Sequence, residues 1–390
     1  MSAAPPRSIV VVAGDPGPAA ALSPLITRLR DQGGPPLALL AYGQALALWQ
    51  GQGLAPQALA EEGWPAAADR LLAELGAGLL VAGASVNRLN LELHFIDAAR
   101  RRGVPSLSLM DFPTNYRARY QDAAGRLAHL PDCIAVGDAD CAREMAQAGF
   151  PPERLRVVGW TGLDALAGFR EQWTPAARQT LRQELGLATN DLLVLFVSQP
   201  LRELYEHPSL QGQGPGYDEH QVLGLLLAGL EKLAPDLARE GRRLHLLLRA
   251  HPRERADKFR EVRGQGVRLI PSPGGEALAE VAAADLVVGM NSMLLLQACH
   301  LGQLVLSLQP GLQGPDSLYT NRRGQSLAVY DAAQAPAVLS RALLDQEYRA
   351  RTLAQLTGLL PDGQAGRRLT DLALAMHHGE ASTLTKEVEA

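Results

Sequence analysis

The chain has 390 residues, more than one typical hydrophobic core accommodates, so two or three domains are expected. With 47% apolar and 20% charged residues, its composition excludes a disordered or low-complexity protein. A formal charge of −4 supplies no broad field for nucleic acid, and no apolar run reaches the ~18 residues of a membrane span. Cys133, Cys141 and Cys299 show no metal-ligand spacing and are read as reduced thiols. The opening MSAAPPRSIVVVAGDPG has too short an apolar run for a signal peptide, so a soluble, cytoplasmic protein is expected.

In chain order, SIVVVAG, PLALLAY, GLLVAG, VPSLSLM, CIAVG and RLRVVG are short apolar runs bounded by Gly, Pro or polar residues. They alternate with amphipathic, helix-length segments. This predicts a doubly wound α/β domain over residues 1–163. Residues 164–178 lack the apolar density of core helices and are expected to form a hinge. The rhythm resumes over 179–362 with DLLVLFVSQP, RLHLLLRAHP, GVRLIP, DLVVGMN, QLVLSLQP and SLAVYD, a second α/β domain. Residues 363–390 form a last helix, GRRLTDLALAMHH, and a tail, the helix being free to pack back on the first domain. Open parallel sheets bind ligands beyond their carboxyl strand ends, so two such domains are expected to face each other across a cleft.

Polar chemistry follows several of these strands. Asp15 lies in a GDPGP turn, which is neither GxGxxG nor a Walker sequence; it caps the next helix or serves as a base. Ser85 and Asn87 follow the third strand. Asp111 begins a polar, aromatic loop with Asn115, Tyr116, Arg117, Arg119 and Tyr120, suited to gripping a sugar or another polar acceptor. Asp15 and Asp111 are the two candidate bases. In the second half, Ser198, Gln199 and Arg202 offer hydrogen bonds and a cation, or form a capped turn with a surface Arg. The Gly-rich segment 211–220 is a lid or, by default, a connection in which Asp218 caps a helix. Arg249, His251, Arg253 and Arg255 crowd one strand end, where phosphate is the expected guest; the alternative is a solvated turn paired to Glu254 and Asp257. Finally, Asn291 and Ser292 precede the helix that Met293 opens. They either cap it or also aim amide N–H groups at a phosphate, with Gln297 further along reaching a ribose or base edge or, equally, buried and satisfied by backbone.

RAHPRE together with ADLVVGMNSMLLLQACHLGQLVLSLQPG resembles the nucleotide-sugar-binding half of GT-B glycosyltransferases, and RLRVVGWTGLDAL resembles the segment that closes their first domain. The layout covers nearly the whole chain, and the detailed match covers residues 245 to 310. His251 and Pro252 match the His-Pro motif of bacterial capsule, sialyl and CDP-glycerol transferases, where the His faces the donor phosphate. Ser292 matches the residue opening their phosphate-binding helix. Gln297 stands where many GT-B enzymes carry a ribose-binding Glu.

The resemblance implies a nucleotide-sugar-dependent glycosyltransferase of polysaccharide or glycoconjugate synthesis. It would act on a sugar or glycoconjugate acceptor, with no metal and no cofactor beyond the donor. The leaving group would be stabilised by His251, Arg249, Arg202 and the helix beginning at Ser292. The chain is also similar, more distantly, to the non-hydrolysing UDP-N-acetylglucosamine 2-epimerases, although Met290, Asn291, Ser292 and Met293 replace their Ser-Gly-Gly signature. Isomerisation of that kind needs several acid–base carboxylates. A non-catalytic GT-B-like partner subunit is the third alternative, and Gln297 keeps it open.

Overall fold

The computed structural model describes residues 7–206, 212, 214–255 and 257–380. Part of the Gly-rich segment, residues 211 and 213, lies outside the described residues. The chain forms two compact units, one ending at Ala165 and resuming at Pro361, the other spanning Leu166–Leu360.

The first unit is built on seven strands: β1 (Ser8–Ala13), β2 (Leu37–Ala41), β3 (Gln57–Ala58), β4 (Ala77–Gly83), β5 (Ser106–Leu109), β6 (Cys133–Val136) and β7 (Leu155–Val157). They pair in parallel in the order β3-β2-β1-β4-β5-β6-β7. The continuous apolar run of β1 follows from burial on both faces. Ile9, Val11 and Ala13 enter one core layer, and Val10 and Val12 enter the other. The edge strand β3, two exposed residues long, has no apolar run and gives no sequence signal.

The second unit has six strands: β8 (Leu192–Val197), β9 (Leu244–Arg249), β10 (Val267–Pro271), β11 (Leu286–Gly289), β12 (Val305–Leu308) and β13 (Leu327–Val329). Their order is β10-β9-β8-β11-β12-β13, again all parallel. Strand order therefore reverses direction twice in the molecule, between β1 and β4 and between β8 and β11. At such switch points the two connecting segments diverge and leave a crevice above the carboxyl strand ends.

Residues 164–178, expected as a hinge, fold into helix Asp164–Gln172 and the start of helix Pro175–Glu184. The second helix has a local start signal, with the Thr174 hydroxyl accepting from Ala177 N and Pro175 in the first turn. Helix Ala365–His378 belongs to the first unit, where Leu369, Leu372, Ala373 and Met376 join the core. Gly366 lets it approach helix Pro16–Asp31 closely, since a Cβ there would lie 2.8 Å from Pro24. Asp164 accepts the N–H groups of Ala365 and Gly366 at 3.0 and 2.7 Å. No helix among the described residues is long and apolar enough to cross a membrane.

Candidate functional site

In the first unit the loops after β1 and β4 are stitched together by side chains. Asp15 occupies the N-cap position of helix Pro16–Asp31 but makes no capping bond. Its Oδ2 accepts from Val86 N at 2.9 Å and its Oδ1 from Asn87 Nδ2 at 2.8 Å, while its own N–H donates to Ser85 Oγ at 3.0 Å. The local cap reading therefore gives way to a latch across the switch point, because the β4 loop brings donors as close as the helix would.

Beneath this latch lies Glu92, which sequence reasoning missed. It is 1% exposed and accepts from Gly14 N at 2.9 Å, from Ser85 Oγ at 2.5 Å and from the Tyr42 hydroxyl. Burial pushes its carboxyl up to about 7, even though the hydrogen bonds from Ser85, Tyr42 and Gly14 pull the other way. Its signal was present in LELHFIDAA, where position 92 falls on the same helical stripe as Phe95, Ile96 and Ala99, all buried. An acid on an apolar stripe requires internal partners.

Asp111, at the end of β5, pairs with Arg119 Nη1 at 2.8 Å. Arg119 is itself buried and also donates to the carbonyls of Ala84 and Thr114. Burial holds the Asp111 carboxyl above the usual aspartate range. Arg119 opposes this shift, and the charge of nearby Asp15 adds to it. Asp111 Oδ2 stands beside Gly17, so close that a Cβ there would lie 2.5 Å from it. Every oxygen of Asp15 and Glu92 receives a hydrogen bond, whereas Asp111 Oδ2 takes none from another described residue. Asn115 is exposed in a left-handed backbone conformation, φ 54°. Tyr116 turns instead to Glu144 Oε2, 2.5 Å away, so the loop brings Asp111 but not the Tyr116 hydroxyl to the strand end.

In the second unit, the β8 and β11 loops meet through Gln199, whose Oε1 accepts from Asn291 N at 3.1 Å. Asn291 Nδ2 continues to Ser317 Oγ at 2.9 Å. Ser292 caps helix Met293–His300 through Leu295 N, 3.4 Å away, with Met293 52% exposed and Gln297 half-buried behind it. Gly289 is required at the strand end, since a Cβ would lie 2.9 Å from Val197 O.

The His-Pro segment is a β-turn, closed by Glu254 N donating to His251 O at 2.8 Å with Pro252 at the favoured second position. Arg253 N donates to His251 Nδ1 at 3.1 Å, an acceptor role that in a neutral ring puts the proton on Nε2, which bonds to no other described residue. Most of the cations expected around it are committed elsewhere. Arg249 binds Glu280 Oε2 and Gly275 O at 2.8 and 3.1 Å, Arg202 grips Asp218 Oδ2 at 2.7 and 3.0 Å, and Arg255 pairs with Asp257. Asp218 caps helix Glu219–Arg239 in a capping box with Gln221. Arg253 is exposed. Beside this turn a cavity of about 830 Å³ runs from Arg249, His251 and Glu254 along Phe259, Val262 and Leu269. The strand ends thus offer an imidazole N–H, helix-terminal amides and amide side chains, donors of the kind that suit an anion.

The sequence matches no protein-family model and no curated protein. In fold the chain is similar to GT-B-like structures along nearly its whole length. MnaA of S. aureus, in a co-structure with UDP, superposes with TM-score 0.61 at 11% identity, over 96% of this chain and 98% of that one. UDP-GlcNAc 2-epimerase from Neisseria meningitidis, bound to UDP-GlcNAc, gives 0.59 at 14% identity over 94% and 99%. MurG of Acinetobacter baumannii gives 0.61 at 11% over 95% and 99%. The two parallel sheets and their flanking helices are those of this GT-B-like, Rossmann-like class.

Proposed function

We propose that the protein is a nucleotide-sugar-dependent glycosyltransferase, taking the nucleotide diphosphate on its second unit and using Asp111 of the first as general base. The His251–Glu254 turn carries the first part of this reading, because its Nδ1 acceptor leaves Nε2 of a neutral ring as an N–H donor at the end of β9, and the turn and the helix that Ser292 caps both bond to the loop at the end of β8, the strand between them. UDP is the nucleotide favoured, since it is the one named with MnaA and carried by the sugar nucleotide bound to the N. meningitidis enzyme. Asp111 is favoured as base over Asp15 and Glu92 because its Oδ2 accepts from no other described residue, and because burial raises its basicity above that of an ordinary aspartate. Group transfer needs one such base.

A second reading, isomerisation of a UDP-sugar, draws support from the gathering of three carboxylates, Asp15, Glu92 and Asp111, in one unit, and from the likeness in fold to the epimerase. The two readings separate in one assay, in which UDP-GlcNAc is incubated with the protein with and without a panel of sugar acceptors. Transfer releases UDP only with an acceptor, whereas isomerisation yields the epimer without one. Titration calorimetry with UDP, CMP and ADP accompanies it, with UDP expected to bind tightest. Absence of saturable binding by any of the three to the folded protein overturns both readings.

A further inference from the structure

Glu254 is the residue of the His-Pro turn that the reading above leaves without a role. Its side chain is shielded from solvent, and it ties its own segment, through His251 and Lys258, to the end of β8. Oε1 accepts from Ser198 Oγ at the end of β8, 2.9 Å away, and from Lys258 Nζ at 2.8 Å; Oε2 accepts from the backbone N–H of His251 at 2.6 Å. Lys258, only 8% exposed along its side chain, also reaches Glu219 Oε1 at 2.5 Å and Glu203 Oε1 at 2.8 Å.

The oxygens of Glu203, Glu219 and Glu254 converge as metal ligands do, but the ammonium of Lys258 lies among them. Burial acts to lower that ammonium, yet its hydrogen bonds to the three carboxylates outweigh it and hold the group above the usual lysine range. Residue type matters here. The chain uses Arg for most of its cations and has lysine at positions 232, 258 and 386. A compact ammonium with three rotatable donors can serve three carboxylates in different directions, which a planar guanidinium does not.

We infer that Glu254, held in place by Lys258, is a positioning residue for His251: it anchors the turn that fixes the imidazole as the Nε2–H tautomer and aims that N–H at the anion site. The turn has two closures between the same residues, Glu254 N to His251 O and His251 N to Glu254 Oε2, and the second is tied to the β8 end through Ser198 and to the helix Glu219–Arg239 terminus through Lys258 and Glu219. Without the carboxylate the His251 N–H loses its acceptor, and the turn loses its attachment to the sheet. Arg253 N and the ring nitrogen then no longer keep a single register, and the other tautomer becomes available. The nucleotide arm of the test rests on the proposed function; the tautomer arm does not.

The test uses the full-length protein labelled with 15N-histidine, with the His251 signals assigned from the H251A spectrum. Long-range 1H–15N correlation of the neutral ring reads the tautomer directly. The wild type is expected to show an unprotonated Nδ1 and a protonated Nε2. Glu254→Ala and Glu254→Asp, the latter too short to span Ser198 and His251, are expected to show mixed tautomers and a UDP dissociation constant raised about tenfold, the scale of one charge-assisted contact. Glu254→Gln, whose NH2 would face the Lys258 ammonium if its oxygen kept the His251 N–H, is expected to behave as Glu254→Asp does. Asp257→Asn, in the same loop but paired outward to Arg255, is expected to change neither reading. Where Glu254→Ala fails to fold, the Asp variant carries the same comparison. A wild-type ring protonated on Nδ1, or Glu254→Asp with an unchanged tautomer, overturns the inference. A tautomer lost in Glu254→Asp in a protein that binds no UDP supports the positioning role and removes the nucleotide reading instead.

Discussion

The two units share one topological device and fill it with opposite chemistry. Each sheet reverses its strand order beside its first strand, and each reversal is bridged by side chains, Asp15 to Val86 and Asn87 in one unit and Gln199 to Asn291 in the other. Around β1 and β4 the bridging groups are acids: Asp15, Glu92 beneath it and Asp111 beside it. Around β8 and β11 they are amides and a hydroxyl, with the His251 imidazole at the end of β9 and Arg249 and Arg202 paired to Glu280 and Asp218. The parallel-sheet fold explains where a site forms in each unit, but the charge that lines it is a matter of individual side chains. The first suits proton transfer and the second the reception of an anion.

Substituting one residue on each side is the sharpest way to break that division. Asp111→Asn is expected to lower turnover of the nucleotide sugar by about 10²–10⁴-fold, the usual contribution of a general base, and to leave the UDP dissociation constant unchanged by calorimetry. His251→Ala is expected to lower turnover by about 10²–10³-fold, as loss of one preorganised donor does, and to weaken UDP binding, with a nearly unchanged melting temperature. If Asp111→Asn weakened UDP binding and His251→Ala did not, the division of labour would be wrong.

Glu92 tests whether the acidic side carries the electrostatic cost that its burial implies. Its folded-state value of about 7 exceeds the ordinary 4.5, so the folded protein holds this proton more tightly than the unfolded chain. Its contribution to stability is therefore complete below about pH 4.5 and lost as pH rises to about 7, a change on the order of 3 kcal/mol. Glu92→Gln has no such proton, so denaturant unfolding across this window should show the variant gaining on the wild type as pH rises. A constant difference between the two would mean that the carboxyl is not desolvated as described. The smallest effect is expected at Ser292→Ala, about 0.5–1 kcal/mol of stability from the lost cap over a 3.4 Å contact, with a matching weakening of UDP binding.

Much of the fold was legible because strands buried on both faces write themselves as apolar runs. β1, β4, β8 and β9 are examples, whereas β3, two exposed residues, is not. The two helices over 164–184 were hidden by their low apolar content, although Thr174-Pro175 is a local start signal. At the candidate sites the types of residue were readable and their partners were not. Asp15 looked like a helix cap and proved to be a latch to a loop seventy residues on. Arg202 and Arg249 looked like free cations for a ligand and are spent on Asp218 and Glu280.

What the sequence by itself determined was local: strand and helix positions, the two-unit rhythm, the His251–Glu254 turn with its proline, and Ser292 at its helix start. These depend on residues within a few positions of one another, where backbone sterics and near-neighbour hydrogen bonds decide. Tertiary structure alone decided which charges meet. Glu92 finds Tyr42 and Gly14, and Lys258 finds Glu203 and Glu219, across long crossovers whose geometry is set by sheet order and packing. A charge is read from one letter, but its partner, and hence whether it is free to act, depends on which strand ends the fold brings together.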